Sequence, residues 1–206
     1  MPDSAKVFVD SIDRHLKVVE QIHGLVPVLE RVAIQMARAM IDGKKIIWCG
    51  NGGSAADAQH LAAEFLGRFL MERRALPSLA LHTNTSVVTA IANDYGYELV
   101  FQRQVEALCL PGDVLVGIST SGKSKNVCKA METARERGAY TVAFTGRDPN
   151  AMEALAREVI CIPSTETPRI QEGHILCGHM LCDYVEQAVC EADRAAAMVP
   201  AQSSVS

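Results

Sequence analysis

A histidine and a carboxylate follow a glycine-rich turn in the segment KIIWCGNGGSAADAQHLAAE. The apolar residues Ile46–Cys49 predict a strand that leads into the turn Gly50–Gly53, and a helix is predicted to start near Ser54, whose hydroxyl would cap it. Glycines let a backbone approach a ligand closely, and the free N–H groups of a helix N-terminus favour an anion. His60 and Glu64 are four residues apart and therefore share one helix face. The segment thus combines a turn suited to an anion with a pair suited to proton transfer or metal ligation. The alternative is a surface helix pair, which the nearby glycine turn makes less favoured.

The same turn matches the dinucleotide-binding pattern G-x-G-x-x-A between Gly50 and Ala55. Dinucleotide-binding folds carry an acidic residue at the end of their second strand, where this chain has His82, Thr83 and Asn84. The chain also has no Walker A sequence. These departures disfavour a nucleotide and leave two interpretations, a site for another anion or a tight turn without a ligand.

A second polar turn, STSGKS at 119–124, follows the predicted buried strand at 113–118. Its hydroxyl groups belong to Ser119, Thr120, Ser121 and Ser124. Together with the N–H groups of a following helix they could surround one phosphate monoester, and Ser124 is also placed to cap that helix. Lys123 would add a positive charge. The alternative is a Ser/Thr-rich surface loop, which the position at the end of a buried strand makes less favoured.

The last predicted helix, from about Arg169 to Cys190, carries further candidates for chemistry: Gln171, Glu172, His174, His179 and Asp183. His174 and His179 are separated by about 140° around a helix, so they can hardly reach one target. A lone helical histidine is more often a packing residue than a ligand, and periodicity leaves open which of the two faces a site.

Strands and helices alternate along the chain. Two amphipathic helices are predicted at 4–23 and 27–42, and they would either cover the sheet or build a subunit interface. Strands are predicted at 46–49, 78–82, 113–118, 140–146 and 159–162, with helices at 86–95, at 98–109 and from the serine turn to Arg137. Near-continuous apolar strands alternating with helices indicate an α/β three-layer fold with a parallel sheet, in which ligands bind at the carboxyl ends of the strands. We expect a single domain over 1–206, with a mobile tail at 195–206.

The composition excludes several classes of function. The chain has 206 residues, 49% of them hydrophobic and 21% charged, and a net charge of −4. This balance argues against a nucleic-acid or anionic-membrane partner, and we find neither a membrane span nor a signal peptide. The seven cysteines form no C-x-x-C pair. We therefore expect free thiols in a cytoplasmic protein.

Five motifs in order resemble the sugar isomerase (SIS) domain family and, within it, the phosphoheptose isomerases: CGNGGSAADAQHLAAE, AIANDYGYE, GDVLVGISTSGKS, AFTGRD and RIQEGHILCGH. The resemblance covers about residues 5–190 and implies a flavodoxin-like fold with a five-stranded parallel sheet. It implies an aldose–ketose isomerase that converts sedoheptulose 7-phosphate to D-glycero-D-manno-heptose 7-phosphate through an enediol, for heptose and lipopolysaccharide core biosynthesis. Members form tetramers, so the resemblance favours an oligomer interface at 4–42.

The resemblance also implies roles for individual residues. Glu64 matches the base that takes a proton from carbon, and His179 matches its acid/base partner at the neighbouring carbon. The phosphate would lie on the four hydroxyl residues of the serine turn. The remaining substrate contacts would come from Asn51, Gly52, Gly53, Glu64, Asn93, Asp94 and Gln171. In members that contain zinc, one ion per subunit, the matching ligands are His60, Glu64, Gln171 and His179.

A binding protein is the alternative class. The DiaA-type replication-initiation regulators resemble the same family and share the serine turn, but they bind a partner protein and lack the acid/base pair. This chain keeps Glu64 and His179, which favours the isomerase. It departs from the family at Lys123, where asparagine is common, and at Pro168, where some members have an aspartate.

Overall fold

The computed structural model describes residues 3–148 and 151–198. Its helices are α1 (Ser4–Ile22), α2 (Val26–Ile41), α3 (Gly53–Leu66), α4 (Thr85–Tyr95), α5 (Gln102–Leu108), α6 (Lys125–Glu136) and α7 (Thr167–Met198). Its strands are β1 (Ile46–Gly50), β2 (Ser78–Ala80), β3 (Val114–Ile118), β4 (Tyr140–Gly146) and β5 (Glu158–Ile162), and short 3₁₀ turns span His23–Leu25 and Tyr97–Leu99.

The five described strands form one parallel sheet in the order β2-β1-β3-β4-β5. All residues of β1 and β3 are buried, because helices pack on both faces of the sheet. One core contains α2, α3 and α7, and the other contains α5 and α6. This arrangement confirms the predicted three-layer α/β fold. The edge strand β2 ends at Ala80 and is shorter than the predicted strand at 78–82.

The two N-terminal helices differ in what they bury. Helix α2 covers the sheet, with Val32, Met36 and Met40 fully buried. Helix α1 buries only Val18 and Ile22 fully among its residues. Its other large apolar side chains are mostly exposed: Val7, Phe8, Val9, Ile12 and Leu16. Helix α2 therefore covers the sheet, whereas the oligomer interface at 4–42 stays a prediction, for which α1 offers exposed apolar side chains.

Polar contacts hold α1 on the first turns of α7. His15 Nδ1 lies 2.7 Å from Glu172 Oε2, and the Arg169 guanidinium donates to Ser11 Oγ at 2.9 Å and to Glu172. These bonds orient α1 without covering its apolar side chains.

The helix α7 is longer than predicted. It continues to Met198, so residues 195–198 of the predicted tail are helical, and their mobility stays a prediction. Residues 199–206 of the predicted tail lie outside the described part of the chain. Within residues 3–148 and 151–198, no helix has the length and apolarity that a membrane span requires. All seven cysteines are free, as expected.

His174 lies in the core between α7 and β4. It is fully buried, its Nε2 lies 3.1 Å from the carbonyl oxygen of Thr145, and its ring packs against Phe144. Burial lowers the pKa of His174 from 6.5 to about 4, although the bond to the Thr145 backbone opposes the shift. His174 is therefore a neutral packing histidine. Periodicity left open whether His174 or His179 faces a site, and the structure places His174 in the core.

The buried His174 predicts an acid-sensitive fold. The unfolded chain binds a proton at this residue below about pH 6.5, whereas the folded chain resists protonation until about pH 4, so stability falls as the pH drops through this window. Between about pH 7 and about pH 5 the residue should cost about 2 kcal/mol of unfolding free energy. Urea titrations of wild type and His174→Gln would measure it, because the glutamine cannot protonate and should remove that part of the pH dependence. The exposed His23→Gln serves as the control and should retain the wild-type slope. Equal slopes in wild type and His174→Gln would contradict the prediction.

Candidate active site

The carboxyl ends of β1 and β3 form a crevice at the centre of the sheet. The two strands are hydrogen-bonded neighbours, but the helices that follow them pack on opposite faces, α3 in one core and α6 in the other. Where the connections after two adjacent strands run to opposite faces of a sheet, a gap remains beyond the strand ends, and ligands bind there. The glycine turn after β1 and the serine turn after β3 both open into it.

The glycine turn requires glycine at Gly52 and brings Gly53 close to the side chain of Gln171. Gly52 has φ +56°, which side chains disfavour, and a Cβ atom on Gly53 would lie 2.3 Å from Nε2 of Gln171. The predicted cap at Ser54 is wrong, because α3 begins at Gly53 with Gly52 as its N-cap, and Ser54 is buried inside the helix. The turn therefore brings Gln171 of α7 against the start of α3.

Asn51 is held in place by the start of α6. Its side-chain amide and that of Asn126 exchange two hydrogen bonds, of 2.9 and 2.8 Å. The Tyr97 hydroxyl donates a third to Asn51 Oδ1 at 2.9 Å. Asn126 is 4% exposed, so this amide pair ties the glycine turn to the serine turn from within. Sequence reasoning missed Asn126, although it lies two residues after the serine turn, and missed Tyr97, although it belongs to the motif AIANDYGYE.

The serine turn has the shape of an anion cradle. The backbone N–H of Gly122 donates to the Ser119 carbonyl oxygen at 3.0 Å, and the Ser119 and Ser124 hydroxyls lie 2.9 Å apart. Ser124 is the N-cap residue of α6 as predicted, but its hydroxyl bonds to Ser119 and makes no capping bond. Thr120 and Ser124 are half-buried, whereas Ser121 and Lys123 are exposed. Ser119 is buried and the Val127 N–H is already bonded to Asn126 Oδ1, so Thr120, Ser121 and Ser124 are the hydroxyl residues of the turn that an anion could reach.

The predicted acid/base residues meet between α3 and α7. His60 Nε2 lies 2.9 Å from His179 Nε2 and 3.4 Å from Glu64 Oε1, and the two imidazole rings meet edge to face at 71°. The Glu64 side chain is 21% exposed, and that of His60 is 49% exposed. Two imidazoles and a partly shielded carboxylate thus lie together at one point, where they can accept and return protons.

The predicted zinc ligands only partly form a site. Among the described residues, no group of three or more His, Cys, Asp or Glu side chains is arranged to hold a metal ion. His60 Nε2 lies between the other two groups and contacts both, so His60, Glu64 and His179 are arranged in a row. The donors are nevertheless of the type that zinc prefers, and nitrogens bound to tetrahedral zinc lie roughly 3.3 Å apart, close to the His60–His179 distance. His60, Glu64 and His179 therefore offer donors that suit zinc, whereas the amide of Gln171 is not among its usual ligands.

Asp57 stands one turn before His60 on α3 and was not predicted. It is half-buried, and its Oδ2 atom is buried with no hydrogen-bond partner. Burial raises the pKa of Asp57 to about 6, while the neighbouring His60 opposes the rise. A perturbed carboxyl group of this kind is typical of functional sites.

Asn93 and Asp94 lie near the C-terminal end of α4. They are exposed on α4, where Asn93 Nδ2 donates to Asp94 Oδ1 at 2.8 Å. Asp94 lines a cavity of about 640 Å³ between β2, α4 and α5. Their assignment to the sugar stays a prediction.

Comparisons with known proteins agree with this geometry. A family model of the SIS domain matches residues 8–146. The chain is 52% identical over 189 residues to the phosphoheptose isomerase of Aquifex aeolicus (strain VF5), covering 92% of this chain and 94% of that protein. It superposes on the structure of phosphoheptose isomerase GmhA from Neisseria gonorrhoeae with a TM-score of 0.84 at 42% identity, over 90% of this chain and 100% of that one. A phosphoheptose isomerase from Francisella tularensis gives 0.87 at 33% identity, with the same coverage.

The amide pair between Asn51 and Asn126 predicts that substitution of Asn126 lowers the unfolding free energy. Asn126→Leu removes both bonds to Asn51 and the bond to the Val127 N–H, and leaves buried polar groups unsatisfied. We expect a loss of about 1–3 kcal/mol in unfolding free energy, measured by urea denaturation. The exposed neighbour substitution Lys125→Leu should change it by less than about 0.5 kcal/mol. Similar values for both variants would show that the pair contributes nothing.

Proposed function

The chain belongs to the SIS domain family, among its phosphoheptose isomerases, and we propose that its Glu64 and His179 carry out the proton transfers of that reaction. The reaction converts sedoheptulose 7-phosphate to D-glycero-D-manno-heptose 7-phosphate. The observation that supports the assignment is the meeting of Glu64, His60 and His179 beside the crevice. We further propose that the product supplies heptose for lipopolysaccharide core and that the enzyme acts in the cytoplasm.

The substrate phosphate binds at the serine turn in this proposal. Ser119, Thr120, Ser121 and Ser124 supply hydroxyl donors, and the N-terminus of α6 supplies N–H groups and a favourable dipole. The sugar extends toward the glycine turn, where Gly52 and Gly53 allow close approach and the side chains of Asn51 and Gln171 offer hydrogen bonds. Asn93 and Asp94 complete the proposed set of sugar contacts.

Proton transfer then follows from the positions of the side chains. Moving a carbonyl group by one carbon requires removal of a C–H proton, formation of an enediol and return of a proton to the neighbouring carbon. Glu64 accepts the first proton, since its carboxylate is partly shielded from water. His179 serves the neighbouring carbon, and its contact with His60 orients the imidazole.

We also propose one zinc ion per subunit, held by His60, Glu64, Gln171 and His179. Two imidazole nitrogens and a carboxylate are donors that zinc prefers, which supports the proposal, and the Gln171 amide oxygen would complete the set. Bound there, the ion would act as a Lewis acid on the substrate oxygens.

Turnover of sedoheptulose 7-phosphate tests the assignment of Glu64. Glu64→Gln keeps the shape of the side chain but removes the base, so kcat should fall by about 100-fold or more. Glu72→Gln, at a carboxylate whose side chain is 88% exposed, is the matched control and should retain wild-type activity. Both proteins are assayed with a chelator and then with added zinc, and zinc-dependent wild-type activity would support the metal site.

Two other outcomes would contradict the proposal in different ways. An active Glu64→Gln would refute the role of the carboxylate. Inactive wild type and variant, both folded, would instead favour the partner-binding alternative, which the isomerase relatives do not favour.

Helix α1 supports a further proposal, a homo-oligomer and specifically a tetramer. Its exposed apolar side chains would be covered by a second copy of the chain, and the polar bonds to α7 already orient them outward. An exposed apolar surface of this kind marks an interaction site.

Introducing charges on the apolar face of α1 tests the assembly. The double variant Phe8→Glu, Ile12→Glu places two charges among the apolar side chains and should produce a smaller species, measured as molar mass by light scattering after size exclusion. Lys17→Glu, an exposed change on the same helix, should leave the mass unchanged. An unaltered mass for the double variant would place the interface elsewhere.

A further inference from the structure

A buried ion pair joins the segment after α3 to α7. The side chains of Arg73 and Glu186 are 2% and 1% exposed, and Arg73 Nε lies 3.0 Å from Glu186 Oε1. That N–H lacks hydrogen-bond geometry to the carboxylate, so the contact is electrostatic. Burying two charges costs free energy unless further hydrogen bonds compensate them. Here the compensation comes from backbone groups on both sides of the pair.

Arg73 binds the C-terminal end of α3. Its guanidinium donates to the carbonyl oxygens of Glu64 at 2.8 Å, Phe65 at 3.0 Å and Gly67 at 3.2 Å. The last carbonyl groups of a helix lack helical partners, so a buried cation there is favourable. The bond to the Glu64 carbonyl ties the backbone of the predicted base directly to the pair.

Glu186 binds the segment that follows α3. Its carboxylate accepts hydrogen bonds from the N–H groups of Phe69 at 2.8 Å, Leu70 at 2.6 Å and Met71 at 2.8 Å. Burial tends to raise the pKa of Glu186, but these three bonds and the charge of Arg73 outweigh it and lower the pKa. The carboxylate therefore stays ionised and holds three successive residues against α7.

Phe69 connects the segment held by Glu186 to His179, the predicted acid/base residue. Its ring lies against the imidazole of His179, with a centroid distance of 5.6 Å and an angle of 30°. His179 and Glu186 are seven residues apart on α7, two turns along one face. His179 is thus packed between Phe69 and His60.

We propose that Arg73, Glu186 and Phe69 are positioning residues, which hold Glu64 on α3 and His179 on α7 in a fixed relation for proton transfer. The inference rests on the proposed function, because the roles of Glu64 and His179 come from it. None of the three side chains is assigned a contact with substrate.

Phe69→Leu tests the ring contact without disturbing the ion pair, because its backbone N–H still donates to Glu186. Misplacement of a reacting group costs turnover more than binding, so kcat should fall about tenfold or more while KM stays within about threefold. Phe69→Tyr retains the ring and should restore kcat. Leu66→Ala, at a side chain on α3 that is 52% exposed, is the matched control and should keep both constants.

Glu186→Gln tests the pair itself, with Gln187→Ala at its exposed neighbour as the control. We expect the same selective loss of kcat, together with faster hydrogen exchange at the amides of residues 69–71. Removing one charge can unfold the protein, since Arg73 is left buried and unpaired, and in that case Phe69→Leu decides.

The outcomes separate this inference from the proposed function. A wild type that does not turn over sedoheptulose 7-phosphate refutes the proposed function and, with it, the positioning role. An active wild type with an equally active Phe69→Leu refutes the positioning role and leaves the function standing.

Discussion

The site depends on one constraint: the helices that follow two neighbouring strands pack on opposite faces of the sheet. β1 and β3 pair in parallel along five residues, yet α3 packs in one core and α6 in the other. The backbone must therefore turn away in two directions at the same edge, which opens a crevice over buried, rigid strands. Both turns at this edge carry the donors that a phosphate and a sugar need. The apolar strands thus supply the rigidity, and the turns supply the chemistry.

Polar side chains join elements that the apolar core leaves independent. The amide pair of Asn51 and Asn126 connects the two turns, and the ion pair of Arg73 and Glu186 connects α3 to α7. Neither pair is needed to bury apolar area. Directional bonds between buried polar groups have few alternatives of similar free energy, because any displacement leaves a group unsatisfied. They are therefore suited to setting the relative positions of functional side chains.

The two N-terminal helices differ in how they use their apolar side chains. Helix α2 closes one face of the sheet with fully buried side chains, whereas α1 points its large apolar residues outward. Helix α1 contacts the start of α7 close to Gln171, through His15 and Glu172. An assembly formed through α1 would thus be linked physically to one side of the crevice.

Local patterns in the sequence were enough to predict most strand positions, the two polar turns and the shared helix face of His60 and Glu64. These features depend on residues close together in the chain, where hydrophobic runs, glycine spacing and helical periodicity are informative. The predicted cap at Ser54 failed although it too is local, because the backbone angles of Gly52 decide where α3 begins.

Spacing could not separate His174 from His179, and the family resemblance favoured His179. The tertiary structure supplies the physical reason, by placing His174 in the core beside β4 and His179 beside His60. It also brought Glu186 within hydrogen-bond distance of Phe69, 117 residues earlier in the chain. Periodicity tells which residues share a helix face, but the partner of that face is set by how the layers pack. For that reason the sequence by itself determined the fold class and the chemistry of the turns, and the packing of α7 against α3 and β4 decided which side chains meet.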